Sequence, residues 1–209
     1  MSGKSDEQLK IYLSCMEEIK LRISDADGSL LFWREQSQTD LFQLERSALH
    51  LRKCYELFAF ASMAADLDRY KKARKRYAKE WNFAEITKQI ARVNPGFPPK
   101  PHVRQVSQQT DVCWHFDHKS EAELSLDELK TRHGFLGNIL HASNPFGVKI
   151  EATQSFRKID TWFRELWALL CQHRYEIELH SYGFLIEMNG NNESVTGCIY
   201  EAQRDDNVH

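Results

Sequence analysis

His141 and Asn144, in "GNILHASNPFG" (137–147), have the side chains best suited to moving a proton and holding a substrate. An imidazole serves as general acid or base near neutral pH, and a side-chain amide positions a polar ligand. The same stretch has a structural reading. Gly134, Gly137 and His141 recur at the spacing of one helix face. Asn144 precedes Pro145, which disfavours the α conformation and fixes a stop. A histidine at such an end bonds the last carbonyls and complements the helix macrodipole. Each interior glycine costs about 1 kcal/mol relative to alanine. The pair therefore predicts close packing, with the small face around Ala61, Ala64 and Ala65 as its expected partner. Packing and capping rank ahead of catalysis here.

Two further groups carry charge. Glu45, Arg52 and Glu56 are spaced by seven and four, which places them on one side of a helix with Leu41 and Leu49. If solvated, the Arg52–Glu56 pair contributes only about 0.2–0.5 kcal/mol. If buried, it is a paired ladder inside a bundle and a candidate site. "RYKKARKRYAK" (69–79) holds Arg69, Lys71, Lys72, Arg74, Lys75, Arg76 and Lys79 and no acid. Such local density suits phosphates, and the interleaved Tyr70 and Tyr77 can stack on bases. The plainer reading is a solvated helix face.

Other chemistries lack their residues. His115 and His118 are three apart, so a strand turns them to opposite sides, and neither HExxH nor a Cys/His cluster is present. No metal and no cofactor are expected, since Walker, GxGxxG and GxSxG patterns are also missing. The five cysteines are scattered without a CxxC, which fits a reducing, cytoplasmic setting. Cys54 falls in an apolar stripe and reads as core. A net charge of −2 gives no chain-wide attraction for nucleic acid or acidic membrane. The polar start, "MSGKSDEQLK", does not read as a signal peptide, and no apolar run reaches a membrane span.

The elements that must position these residues are mostly helical. Ser5 and Gln8 predict a capping box for a first helix, broken at "DADGS" (25–29). A second helix starts near Asp40, with Leu41, Leu44, Ala48, Leu51, Tyr55 and Phe58 as its stripe. Residues 66–81 continue it or follow a short break. Asn82 and Glu85 cap another helix, which ends at the stiff, proline-rich connector 94–101. The period then changes. "DVCWHFDH" alternates as a strand, with "HVRQVS" as its expected partner. Ser125 and Glu128 cap the helix leading to His141, and "SFRKIDTWFRELWALLCQH" forms the next. "YEIEL", "FLIEMN" and "VTGCIYEA" predict an antiparallel meander that needs helices or the 102–118 strands for support.

"LERSALHLRKCYELFAFASMAA" (44–65), followed by a helix ending in "ILHASNP" (139–145), resembles the HEPN superfamily. It is also similar to uncharacterised bacterial proteins with an "LRK…E" helix and an "LHA.NP" turn. HEPN proteins are small helical bundles of prokaryotic toxin–antitoxin, abortive-infection and RNA-processing systems. The resemblance implies a bundle, a homodimer, and an RNA or protein partner. In the RNase members an arginine shortly before a histidine cleaves RNA without metal. His141 matches that histidine, but Gly134, Phe135 and Leu136 stand where the arginine would be, and Arg132 lies further upstream. The resemblance therefore points first to a non-enzymatic interaction module. The alternative is a divergent metal-independent RNase, with His141 as acid/base, Arg52 or Arg132 on phosphate and Asn144 positioning substrate. A third reading is a small-molecule sensor with a pocket lined by Trp114, Phe116 and Trp162.

The fold expected is mainly α with a small antiparallel sheet (α+β), in one domain over 1–209. Residues 1–101 and 121–174 would form the bundle, and 102–120 and 175–203 the sheet.

Overall fold

The structure is a computed structural model that describes residues 3–36, 41–73, 79, 81–106, 114–142, 146, 151–177, 182–190 and 193–201. It is mainly helical with a five-stranded antiparallel sheet. The elements are α1 (Gly3–Gln36), α2 (Leu41–Ala65), α3 (Leu67–Ala73), α4 (Phe83–Val93), β1 (Lys100–Val106), β2 (Trp114–His118), α5 (Leu126–Leu140), α6 (Ala152–Leu170), β3 (Gln172–Ile177), β4 (Tyr182–Glu187) and β5 (Thr196–Glu201). None of the described helices is long and apolar enough to cross a membrane.

α1 corrects the expected break. The helix runs straight through Asp25–Gly28, and Ser5 lies inside it rather than at its cap. Tertiary contacts outweigh the local preference. Ala26 and Leu30 are buried, and Asp25 is held from α2 by Arg46 at 2.8 Å and His50 at 2.9 Å. One exposed glycine costs less than that packing yields.

α2 is the central helix that its wide stripe predicts. Leu44, Ala48, Leu51, Cys54, Tyr55 and Phe58 are all buried, whereas Leu41 is exposed. The expected caps are present at α4 and α5. Asn82 accepts from the Glu85 amide at 3.1 Å, and Ser125 and Glu128 satisfy each other's backbone amides. On α6, Phe156, Ile159, Phe163, Leu166 and Leu170 are buried.

The strand order is β2-β1-β3-β4-β5. The C-terminal meander is thus extended by the β1–β2 hairpin through the pairs Lys100–Arg174 and Pro101–His173. β3 begins at Gln172, slightly earlier than the sequence pattern predicts. One sheet face, with His173, Tyr175, Phe184 and Ile186, packs on the helices. Tyr12 of α1 sits against it, its ring 5.6–5.7 Å from those of Tyr175, His173 and Phe184. Gly197 lets α1 come this close: a Cβ there would fall 3.0 Å from Leu13 and 2.8 Å from Ile186. The other sheet face turns away from the helices.

Candidate functional site

The first candidate is the seam between α2 and α5. The Arg52 guanidinium lies over Gly137, where a Cβ would come 2.6 Å from Nη1. Glu56, one turn further along α2, bonds His133 of α5 at 3.2 Å, one turn before Gly137. The helices are therefore antiparallel. Arg52 also donates to Glu56 at 3.1 Å, and Lys53 donates to it at 2.9 Å. The His133 ring stacks on Phe83, with centroids 4.2 Å apart. The hydrogen bond from His133, helped by Lys53 and Arg52 and opposed by burial, brings the Glu56 carboxyl down to about 2. It is thus a fixed anion near neutral pH, shared by Arg52 and Lys53. Glu45 is exposed, about two turns earlier on α2 than Arg52.

This arrangement revises the glycine reading. Gly137 is buried beneath Arg52 rather than against Ala61, Ala64 or Ala65. Gly134 is exposed, with open space where a Cβ would be. His141 is the C-cap of α5, exposed and in extended conformation, one turn beyond Gly137. Asn144 lies outside the described residues. Arg132 belongs to a different contact. It is buried between α5 and α6, 2.6 Å from Glu165 and 3.4 Å from Glu128, with its guanidinium 5.5 Å from the Trp162 ring. Arg52 and Arg132 are therefore not brought together around His141.

The basic stretch is only partly described. Arg69 bonds Asp66, while Lys71, Lys72 and Lys79 are exposed. Arg74, Lys75, Arg76 and Tyr77 lie outside the described residues. Tyr70 is fully buried, so it cannot offer a face to a base. Its position two residues from an exposed lysine hid that, because helical periodicity turns it inward.

The second candidate is the outward sheet face. Period-two alternation puts Lys100, His102 and Arg104 of β1 beside Phe116 and Trp114 of β2 and Arg174 of β3. Trp114 and Phe116 are exposed. Arg104 lies 4.4 Å from the centre of the Trp114 ring and 3.0 Å from Glu187. Together they line an open groove of about 450 Å³ between the hairpin and β4–β5. Trp162 is elsewhere, edge-on to Phe135 at 5.3 Å, so the three aromatics expected to share a sensor pocket do not. On the other side of Phe116 is a recess of about 30 Å³ lined by Lys100, Pro101, His102, His118 and Arg174. His102 is buried there with its ring edge-on to Phe116 at 5.0 Å. Burial, then the charge of Arg174, brings the imidazole down to about 4. The Lys100–His102–Arg104 alternation was a readable signal for this face, obscured by the proline-rich connector running into it.

Among the described residues, no three His, Cys, Asp or Glu side chains come together as a metal cluster. Comparison with family models, with curated proteins and with solved structures gives no match for this chain.

Proposed function

We propose that the chain is a non-catalytic interaction module of HEPN-like type, acting by binding rather than by chemistry. The supporting observation is the state of the two candidate cations. Arg52 is engaged by Glu56, which it shares with Lys53 and His133, and Arg132 is buried against Glu165 and Glu128, so both candidate cations are held in ion pairs and they are not gathered beside His141. Stabilising the charge that develops in the transition state usually contributes most to the rate of such a reaction. A bacterial defence or toxin–antitoxin context, a homodimer and an RNA or protein partner belong to the same proposal.

The test is an RNA cleavage assay in EDTA on structured and unstructured RNAs, with wild type beside His141→Ala. The expected result is no cleavage by either. One observation favours the RNase alternative: Arg52 lies on Gly137, one turn from His141. Cleavage by wild type that both His141→Ala and Arg52→Ala abolish without loss of helix content would establish that alternative.

A further inference from the structure

We propose that the outward sheet face binds single-stranded nucleic acid, with bases stacked on Trp114 and Phe116 and a phosphate at the recess formed by Lys100, His102 and Arg174. The proposal rests on the binding-module reading and names its ligand class.

Three observations converge. First, Trp114 and Phe116 are two residues apart on β2, so their rings stand roughly 7 Å apart on one face. Both are exposed, with the Arg104 guanidinium over one face of the Trp114 ring. A strand whose bases are splayed presents π-faces in series, and stacking tolerates any base. Second, Nε of Arg174 finds no hydrogen-bond partner among the described residues, and His102, whose ring has the Lys100 backbone as one neighbour, has a ring nitrogen left over; both atoms are buried. Unpaired buried polar atoms are costly, and here they line one recess that opens beside Phe116. A phosphate at its mouth would meet the exposed ends of Lys100 and Arg174. Third, the face carries Lys100, Arg104 and Arg174 against the carboxylates Glu176 and Glu187. Three cations thus stand against two carboxylates on the strands, in pairs that are exposed to solvent and weak, with Glu123 beside them on His118. A second copy meeting this face would set those cations opposite themselves, which disfavours a dimer through it. The arrangement is that of a nucleotide unit, with an anion-accepting corner one ring away from an aromatic plate.

The experiment is fluorescence anisotropy of the full chain with labelled oligo(U) and oligo(dT), and with a blunt duplex as competitor. The expected result is binding of both single strands in preference to duplex. Trp114→Ala and Phe116→Leu should each weaken binding roughly tenfold. Lys100→Gln should flatten the salt dependence by about 0.7, the slope for one single-strand phosphate. Circular dichroism checks that the variants remain folded. Lys71→Ala with Lys72→Ala, on α3, should leave binding unchanged. No single-strand binding, duplex preference, or loss with the α3 variant while Trp114→Ala binds normally would each overturn the proposal. Oligo(dT) lacks the 2′-hydroxyl that metal-free RNA cleavage consumes. Its binding therefore reads this face even if the cleavage assay were to overturn the binding-module reading.

Discussion

The hydroxyl of Tyr12 on α1 lies 2.8 Å from Nε2 of His173 on β3, and both residues are fully buried. Nδ1 of the same ring lies 2.9 Å from the carbonyl of Leu170. A carbonyl only accepts, so Nδ1 carries the proton and Nε2 accepts from the tyrosine. The imidazole is neutral: burial brings it down to about 4. Tyr12→Phe keeps the aromatic packing and removes the donor. The expected cost is about 1–3 kcal/mol, seen as a lower urea midpoint with an unchanged slope. An unchanged midpoint would mean that the hydrogen bond contributes nothing net.

Two buried imidazoles set an acid sensitivity. His102 and His173 are both held at about 4, below the ordinary value of 6.5. Between those values the unfolded chain binds more protons, so stability is fully present above about 6.5 and falls as pH drops toward 4. Asp66, raised by burial, works in the opposite direction at the acid end. Urea unfolding at pH 7 and pH 5 should give the lower midpoint at pH 5, and NMR titration should find no protonation of His173 above pH 5. Equal midpoints would contradict the depressed values.

Gly134 and Gly137 separate by substitution. Gly134→Ala adds a methyl into open space on an exposed helix face and should raise stability by about 0.5–1 kcal/mol. Gly137→Ala places a methyl against Arg52 Nη1, so the guanidinium must swing away from Glu56. The helix-propensity gain should then be largely cancelled. Thermal melts of the two variants test this, and a larger gain at Gly137 than at Gly134 would refute the contact.

Asn94 joins α4 to β3. Its amide donates to Asp66 at 2.9 Å and to the carbonyl of Glu176 at 2.7 Å, while its oxygen accepts from the Gly96 amide at 2.9 Å. Asp66 is also bonded by Tyr175 at 2.6 Å. Asn94→Ala leaves a buried carboxylate short of a donor and should cost roughly 2–4 kcal/mol. Asn94→Asp sets two carboxylates together and should cost more at pH 7, with a deficit that shrinks in acid. A deficit independent of pH would show that charge is not its cause.

What could be read in advance follows from which forces are local. The caps at Asn82 and Ser125, the stripe of α2 and the alternation of the strands are written within a few residues, and those elements appear close to where their patterns lie, although Gln172 and His173, which read as helix, and Lys100 and Pro101, which read as connector, are strand. Asp25–Gly28 reads locally as a break, and only the distant Arg46, His50 and the α2 surface make it helix. Tyr70 fails in the same way, because nothing within the basic run reveals its burial. At the α2–α5 seam the spacing of Arg52 and Glu56 was legible, but His133 was not. Its role depends on how two helices align across the fold.

The ties of α1 to the sheet carry a kinetic consequence. Tyr12 reaches His173, Glu17 accepts from the Val195 amide at 2.5 Å, and Lys20 donates to the carbonyls of Gly190 and Glu193. Each contact closes a loop of more than 150 residues. On a ribosome, α1 can pair with α2 soon after both emerge. Its sheet-facing side, with Tyr12 and Met16, stays uncovered until β3–β5 have been made. The exposure of that stripe during synthesis makes the nascent chain most prone to mispairing just before the meander is complete.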